Sequence, residues 1–407
     1  MVLLLLSLIV TRLAVADEIA PPPRVPVRLG IDVLLEKRID LVAGKRVGLI
    51  TNASAVDGRL VQTLDRLRSD PRVSVVQLYA PEHGLGGSMP NGMSDRKGID
   101  SATGLPIEGL FGGNSRPSPA SLARIDVLVF DIQDIGSRTY TYVSTLGHAM
   151  IAAAGARVPV VVLDRPNPIG GHLYEGPIRA PKYKSLIGWG PLPVTHGMTV
   201  GELARFYNGE LSIGCDLTVV EMEGWRRGMV WGDTGLEWVP TSPGIPHPLN
   251  AHLYVATGMV GGSGTNLNEG AGNSMPFELV GAPWVDGKLL ADDLNAAGLP
   301  GVWFRPIVWR AYRGQFANRV IRGVQLILKD PKAFRPLKTA LAILTTIHRL
   351  WPRDLRIRDA RRFGRVWGND EVLRMIRRGV APDEIEKTWE PELAAFGEKR
   401  AKYLIYK

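Results

Sequence analysis

The sequence predicts an α/β protein in which a parallel-sheet N-terminal domain is followed by a smaller α+β C-terminal domain. Strand-like and helix-like segments alternate from residue 28 to about residue 200, which is typical of βαβ units. Four apolar runs in this region each end in polar or ionisable residues. From residue 283 onward, strands and helices are mixed without that alternation, which favours a separate, smaller domain.

The four apolar runs are predicted to be buried strands whose carboxyl ends share one edge of the sheet. In an open α/β sheet, that edge is where ligands bind. Glu82 and His83 follow one run directly and are poor core material, so we expect a functional site there. The runs are residues 46–50, 73–79, 125–130 and 158–163, and they lead to Thr51-Asn52, Pro81-Glu82-His83-Gly84, Asp131-Ile-Gln-Asp134 and Asp164-Arg165-Pro166-Asn167.

Three helices are predicted between and after these strands. Residues 60–67 place apolar side chains at positions 60, 61, 64 and 67, on one helical face. Residues 141–156 are rich in alanine and precede the next strand. Residues 200–207 form the third helix, with Thr199 as its N-cap and Glu202 in its first turn.

The second half of the chain is less regular. Residues 225–272 are rich in Gly, Pro and Trp and show little periodicity, so we expect a loop-rich segment there. Strands are predicted at residues 302–308 and 322–328, a helix at 335–350, and then an arginine-rich tail. The sequence thus predicts a sheet domain at residues 28–254 and a smaller domain at residues 255–407.

The N-terminus has the features of an export signal. Residues 1–16 are apolar and end in Ala14-Val15-Ala16, although no basic residue precedes Arg12. We expect a signal peptide here, with a plain apolar helix as the alternative, and hence a periplasmic or secreted protein. Residues 17–27 contain Pro21-Pro22-Pro23 and are predicted to be a linker. Cys215 is the only cysteine, which excludes an intramolecular disulfide.

The formal charge of +9 favours anionic partners, and much of the excess lies in the arginines of residues 353–378. We expect no nucleic-acid partner, because no RNP, helix-turn-helix or zinc-finger pattern accompanies these arginines. A solvated helical face is one interpretation of the cluster, and contact with an anionic cell-wall polymer is the other.

Cofactor and metal signatures are missing from the sequence. There is no Walker A motif, no G-x-G-x-x-G after the first strand, no H-E-x-x-H and no Cys/His cluster. We therefore predict neither a cofactor nor a metal, and we interpret Asp131 and Asp134 as a structural pair rather than a cation site. Carboxylates, histidines and amides remain, and these suit hydrolysis of an acetal bond.

A glycosidase needs one carboxylic acid to protonate the leaving oxygen and a second group to attack or to activate water. Glu82 and Glu175 are the predicted catalytic residues, and Glu269 is a third candidate. For each, a surface or capping carboxylate is the alternative. Arg138 and Tyr140 are predicted to hold a carboxylate or sugar hydroxyls, with packing as the alternative.

As an ordered set, nine motifs between residues 29 and 406 resemble the NamZ-type exo-β-N-acetylmuramidase family. They are Gly48-Leu-Ile-Thr-Asn52, Pro81-Glu-His-Gly84, Val127-Leu-Val-Phe-Asp-Ile-Gln-Asp134, Gly136-Ser-Arg-Thr-Tyr-Thr-Tyr142, Leu163-Asp-Arg-Pro-Asn-Pro168, Glu175-Gly-Pro177, His196-Gly-Met-Thr-Val-Gly-Glu-Leu203, Gly264-Thr-Asn-Leu267 and Pro276-Phe-Glu278.

The resemblance implies a Rossmann-like N-terminal domain, a smaller C-terminal domain and a cleft between them. It also implies release of terminal N-acetylmuramic acid from peptidoglycan fragments without a cofactor. Peptidoglycan-derived saccharides are then the expected partners. The residues expected to shape the substrate site are Asn52, His83, Asp131, Arg138, Tyr140, Asp164, Asn167, His196, Asn266 and Glu269.

The sequence departs from the family pattern at four places. Leu85-Gly86 replaces an aromatic and an arginine, and Met93 replaces a glutamate. Ser263 stands where a glutamate is usual, and Ala271 where an arginine is usual. Two alternatives to the hydrolase follow from these losses: a catalytically silent muropeptide-binding protein, or a glycosidase with a shifted substrate.

Overall fold

The computed structural model describes residues 26–112 and 115–407. The predicted signal peptide at residues 1–16 and most of the predicted linker at residues 17–27 lie outside these residues. Within the described part of the chain, no helix combines the length and the apolar character that crossing a membrane requires.

The N-terminal part contains a seven-stranded sheet that confirms the predicted parallel architecture. The strand order is β3-β4-β2-β1-β5-β6-β7, and every pair is parallel except the antiparallel pair of β3 and β4. The strands are β1 (Arg46–Thr51), β2 (Ser74–Ala80), β3 (Gly98–Ile99), β4 (Pro106–Gly109), β5 (Val127–Asp131), β6 (Val160–Leu163) and β7 (Leu217–Val220).

Both faces of this sheet are buried, as expected for parallel strands. Alternate residues of one strand enter different hydrophobic clusters: Val127 and Val129 of β5 face one side, and Leu128 and Phe130 face the other. Helices cover both sides and contribute residues to each cluster. They are α1 (Gly30–Lys37), α2 (Thr63–Ser69), α3 (Pro119–Leu122), α4 (Tyr142–Ala156) and α5 (Val200–Glu210).

The C-terminal part contains a three-stranded antiparallel sheet of order β8-β10-β9 and seven helices in the described residues. This confirms the smaller α+β domain. The elements are α6 (Pro248–Gly261), β8 (Leu279–Ala282), α7 (Gly287–Ala296), β9 (Val302–Arg310), β10 (Val320–Leu328), α8 (Pro336–Leu350), α9 (Ala360–Trp367), α10 (Glu371–Arg377), α11 (Pro382–Lys387) and α12 (Glu390–Ala401). Short 3₁₀ turns occur at Ile39–Leu41, Pro181–Tyr183 and Trp231–Asp233.

Helix α6 corrects the expectation that residues 225–272 are loop-rich. The helix is apolar on nearly all sides and packs against α8, so its sequence lacks the 3.6-residue period of an amphipathic helix. Its start is marked by Asn250, whose Oδ1 accepts a hydrogen bond from the backbone N–H of His247 at 3.1 Å.

The two parts share one hydrophobic cluster. It runs from Ile50 and Leu128 in the first sheet to Leu344 in α8 and Phe396 in α12. Helix α12 and the residues after it return to the N-terminal part, where the Tyr406 hydroxyl donates to Asp164 at 2.6 Å. The division between residues 254 and 255 remains a prediction.

Candidate active site

Strand register brings the predicted site residues to one edge of the parallel sheet. Thr51 at the end of β1 lies beside Asp131 at the end of β5, and Ile50 lies beside Tyr79 of β2. The residues that follow these strands therefore emerge at the same level. The chain runs from β1 outward to β2 and later returns to the other side of β1 with β5, and such a switch point is where ligands bind.

Glu82 occupies this edge with both carboxylate oxygens engaged. Its Oε2 accepts a hydrogen bond from the Thr141 hydroxyl at 2.7 Å, and its Oε1 accepts one from the backbone N–H of Gly92 at 2.7 Å. Thr141 is the N-cap residue of α4, so the carboxylate also lies at the positive end of a helix dipole. Glu82 is only partly buried, which leaves it accessible to a ligand.

His83 is held in one tautomer beside Glu82. Its Nδ1 lies 2.8 Å from the carbonyl oxygen of Met89, which can only accept, so Nδ1 carries the proton. Nε2 then presents a lone pair, and no described residue bonds to it. The backbone of His83 has a φ of 71°, a left-handed conformation that costs a non-glycine residue about 1–2 kcal/mol.

Three tyrosines form an aromatic wall next to Glu82. The rings of Tyr140 and Tyr142 are 4.7 Å apart, and that of Tyr254 on α6 lies 5.9 Å from Tyr140, both in edge-on contact. The Tyr142 hydroxyl accepts from the Asn52 amide at 3.0 Å and donates to the Thr241 carbonyl at 2.6 Å. Burial raises the pKa of Tyr140 and Tyr142 above the usual value, so both stay neutral.

Glu269 lies at the other end of α6. Its carboxylate packs against Gly261 so closely that a Cβ at this position would come within 2.1 Å of Oε2. Burial raises the pKa of Glu269 to about 7, and the positive charge of Arg362 on α9 opposes that shift.

The Glu175 carboxylate shares no hydrogen-bond partner with Glu82 in the described residues. Its buried carboxylate forms an ion pair with Arg335 and accepts a hydrogen bond from the backbone N–H of Leu337 at 3.3 Å. Both partners lie at the start of α8, so Glu175 anchors the positive end of that helix. None of these contacts is shared with Glu82, and we now propose a structural role for Glu175.

Arg138 does not face a ligand either. It is fully buried, and its Nη2 donates to the Val366 carbonyl at 2.9 Å, in the last turn of α9. Burial, with Arg179 nearby, lowers its pKa to about 9. Arg138 is therefore hydrogen-bonded to the carboxyl end of α9 and is not free to bind a substrate carboxylate.

His196 is buried on the same side of the sheet. Its Nδ1 accepts from the backbone N–H of Met198 at 3.2 Å, and its Nε2 lies 3.3 Å from an Asp134 oxygen. That oxygen also accepts from the Gly136 N–H at 2.7 Å. These contacts orient the loop after β5 rather than a ligand.

Asp131 and Asp164 form the supporting layer beneath the rim. Asp131 is ion-paired to Arg165 and accepts from the Thr63 hydroxyl. Asp164 accepts from the Thr199 hydroxyl at 2.8 Å and from Tyr406, and burial raises its pKa to about 7. Both carboxylates are fully buried, so they tie elements together.

Two predicted asparagines also act within the fold. Asn167 donates to the Met198 carbonyl at 3.0 Å and accepts from the Ile169 N–H at 3.2 Å. Asn266 donates to the Asp354 carbonyl at 2.8 Å. In the described residues, no group of three or more His, Cys, Asp or Glu side chains is placed to hold a metal ion.

Sequence reasoning missed three contributors to the site: Thr141, Gly92 and Tyr254. The first two contact Glu82, and Tyr254 extends the aromatic wall. Tyr254 lies on a helix that the sequence pattern did not reveal. The position of Thr141 as helix N-cap was the available signal, since N-cap side chains and nearby anions are commonly paired.

Comparison with known proteins gives consistent matches along the whole described fold. Residues 47–249 match the family model for the N-terminal part of the exo-β-N-acetylmuramidase NamZ, and residues 252–406 match the model for its C-terminal part. The chain is 41% identical over 390 residues to the peptidoglycan β-N-acetylmuramidase NamZ of Bacillus subtilis strain 168, which covers 96% of this chain and 93% of that protein.

Two crystal structures of DUF1343 family proteins from Bacteroides fragilis have the same fold. One has a TM-score of 0.88 and 38% identity and covers 95% of this chain and 100% of its own. The other has a TM-score of 0.74 and 29% identity and covers 94% and 99%.

Proposed function

Because this chain belongs to the NamZ exo-β-N-acetylmuramidase family, we propose that it is a glycosidase that releases terminal N-acetylmuramic acid from peptidoglycan fragments. The observation that carries this proposal is Glu82, a partly exposed carboxylate held at the switch point of the sheet beside three tyrosines. Export to the periplasm or beyond, by the signal at residues 1–16, is part of the same proposal.

Glu82 suits the role of the carboxylate that acts at the anomeric carbon. Both its oxygens are acceptors, as a nucleophile or a base requires. A carboxylate in this position either attacks the anomeric carbon or activates water, and the configuration of the released sugar distinguishes these two routes. The free Nε2 of His83 supplies a hydrogen-bonding group for a sugar hydroxyl, whereas the buried hydroxyls of Tyr140 and Tyr142 are already bonded to Thr241.

A muramic acid substrate carries a lactyl carboxylate. Arg138 is not available to bind it, because its guanidinium donates to the Val366 carbonyl. Arg362 is a better candidate. It is exposed, and its Nε donates to the Gly262 carbonyl at 2.8 Å at the end of α6. Its terminal nitrogens have no hydrogen-bond partner among the described residues.

The test is release of sugar from a 4-nitrophenyl β-N-acetylmuraminide and from a MurNAc–GlcNAc disaccharide, followed by mass spectrometry. Glu82→Gln should lower kcat by about 10²–10⁴-fold, the usual effect of losing a catalytic acid or base. Glu398→Gln, an exposed carboxylate on α12, is the matched control and should retain the parent rate. Unchanged turnover in Glu82→Gln would refute the assignment of Glu82.

Met93 favours a second candidate function, that of a muropeptide-binding protein without catalytic activity. Its side chain is 53% exposed, and its neighbour Gly92 donates to Glu82, so the glutamate of the family pattern is missing next to Glu82. A silent muropeptide-binding protein would bind the disaccharide in calorimetry without turnover, and Glu82→Gln would keep the affinity. Cleavage of other N-acetylhexosaminides alone would indicate a shifted substrate.

A further inference from the structure

Most glycosidases use a second carboxyl group besides the one that acts at the anomeric carbon. Four carboxylates near the sheet edge are engaged within the fold. Their partners are Arg165 and Thr63 for Asp131, Gly136 for Asp134, Thr199 and Tyr406 for Asp164, and Arg335 for Glu175. Asp95, on the loop after Glu82, accepts from the backbone N–H of Leu85 at 2.7 Å. A second group can also come from another part of the chain.

A partly exposed row of residues on α6 leads away from Glu82. Tyr254, Gly258 and Gly261 recur at the i, i+4 and i+7 positions of one helical face, and we call them the α6 stripe. Tyr254 closes one end, where its hydroxyl lies 3.2 Å from that of Thr139. At Gly258, the nearest atoms to an added Cβ would be those of the Tyr254 ring, at 3.6 Å, so the middle of the α6 stripe has room for a side chain.

Glu269 lies at the far end of the α6 stripe. Gly261 makes room for its carboxylate, which a side chain at that position would displace. No other described residue donates a hydrogen bond to this carboxylate, in contrast to Glu82. The two ends of the α6 stripe are seven residues apart, about 10 Å, so side chains from both ends can reach a sugar bound between them.

We propose that Glu269 is the general acid that protonates the glycosidic oxygen of a substrate bound along the α6 stripe, an inference that rests on the proposed function. As the bond between the anomeric carbon and that oxygen breaks, the electron pair stays on the oxygen. The oxygen takes the proton of Glu269 and leaves as the alcohol of the second sugar. Water is the co-reactant: its hydroxyl ends on the anomeric carbon, and its remaining proton restores the carboxyl group of Glu269 by way of Glu82 or solvent.

The environment of Glu269 fits an acid that works at neutral pH. Burial raises its pKa to about 7, so a large fraction is protonated there. Arg362 on α9 is the charged group that faces it, and it opposes the shift; α6 contributes only glycines at this point. A proton donor of this kind is needed most when the leaving group is a poor one.

The experiment compares two substrates with the same muramic acid ring: the disaccharide, whose leaving group is a sugar alcohol, and a 2,4-dinitrophenyl glycoside, whose leaving group departs without protonation. Glu269→Gln should lower kcat/KM for the disaccharide by about 10²–10⁴-fold and for the dinitrophenyl glycoside by less than about tenfold. The decline of the disaccharide rate above about pH 7 should disappear in this variant.

Two further variants keep the test decisive. Glu269→Asp retains a carboxyl group and should retain the decline at alkaline pH, at a reduced rate. Glu278 lies on the same loop and accepts a hydrogen bond from Gln325 at 3.1 Å. Glu278→Gln should keep the parent ratio of kcat/KM between the two substrates. Equal losses on both substrates in Glu269→Gln, or no loss on either, would overturn the proposal. If the unmutated protein releases sugar from neither substrate, the proposed function itself fails.

Discussion

At the scale of single residues, the carboxyl groups of Glu82, Glu175 and Glu269 differ in their surroundings. Glu82 has two neutral hydrogen-bond donors, Glu175 has an ion pair with Arg335, and Glu269 has its own backbone N–H and the charge of Arg362 but no ion pair within the described part of the chain. These surroundings decide what each group can do. Burial raises the pKa of both Glu175 and Glu269; Arg335 opposes the shift at Glu175 through an ion pair, and Arg362 opposes it at Glu269 by its charge.

The burial of Glu269 predicts a free energy of unfolding that depends on pH. Its carboxyl titrates at about 4.3 in an unfolded chain, and burial raises the pKa to about 7 in the fold. The folded state binds the proton more tightly, so the stabilisation is complete below the unfolded pKa and is lost as pH rises through about 7.

Glutamine is neutral at every pH, so Glu269→Gln should be more stable than the parent at pH 8, by up to about 3 kcal/mol, and similar near pH 4. Urea unfolding at the two pH values measures the difference. Glu398→Gln, on the exposed face of α12, should show no such pH dependence. A Glu269→Gln variant less stable than the parent at pH 8 would contradict the raised pKa of a buried Glu269.

Several residue roles could be predicted from the sequence, and others could not. The location of Glu82, His83 and Asn52 at the strand ends followed from the apolar runs before them. The engagement of Glu175 with Arg335, 160 residues away, and of Arg138 with Val366, 228 residues away, has no local signal. Partners this remote in sequence become visible only once the chain is folded.

At the scale of secondary-structure elements, two helix ends are fixed by buried side chains from the N-terminal part. Glu175 meets the amino end of α8, and Arg138 meets the carboxyl end of α9. Each charge matches the sign that the helix dipole favours at that end. These contacts hold α8 and α9 against the N-terminal part of the chain.

The contact at α8 predicts that Glu175→Gln affects stability and leaves catalysis intact. The substitution removes the ion pair to Arg335 and weakens the bond to Leu337, at a cost of about 1.5–3 kcal/mol in the free energy of unfolding. Urea denaturation and kcat on the disaccharide are the two measurements, and kcat should change by no more than about twofold.

Arg335→Met is the companion variant. It leaves the Glu175 carboxylate buried without its cation, so it should destabilise the protein more than Glu175→Gln does. A large fall in kcat at unchanged stability in Glu175→Gln would return Glu175 to the catalytic site.

Elements whose apolar residues recur with a clear period could be predicted from the sequence, whereas the buried helix α6 could not. The strands of the large sheet and helix α5, with Thr199 capping the N–H of Glu202 at 3.2 Å, agree with the sequence patterns. Helix α9 keeps a period as well, with Arg361 exposed and Phe363 and Trp367 buried, so Arg361 lies on the solvent-exposed face of this helix. Helix α6 is apolar on nearly all sides, and periodicity cannot identify such a segment.

At the scale of the whole molecule, the C-terminal residues lock the two parts together. Arg400 on α12 donates to the Gly197 carbonyl at 2.6 Å, and the backbone N–H of Ile405 donates to Glu202 at 2.8 Å. The Tyr406 hydroxyl bonds to Asp164 beneath the site edge. This return could not be predicted from local sequence patterns, because the contacts join residues about 200 positions apart.

Removing the hydroxyl of Tyr406 should therefore destabilise the whole protein. Tyr406→Phe deprives the buried Asp164 of one donor, at an expected cost of about 1–3 kcal/mol at pH 8. Tyr403→Phe is the matched control, because its bond to Glu210 at 3.0 Å is only partly buried and should contribute less than about 1 kcal/mol. Thermal and urea unfolding measure both, and equal effects would rule out a special role for the Asp164 contact.

The hydrophobic cluster shared by the two parts affects how much the protein can move when it binds a ligand. Rotating one part against the other would expose apolar surface from Ile50 to Phe396, so hinge motion is strongly opposed. The α6 stripe, the substrate site proposed above, would then keep its shape before a sugar arrives. Most of the conformational entropy lost on binding then belongs to the flexible saccharide rather than to the protein. A rigid ring that mimics the flattened transition state should therefore gain the most affinity.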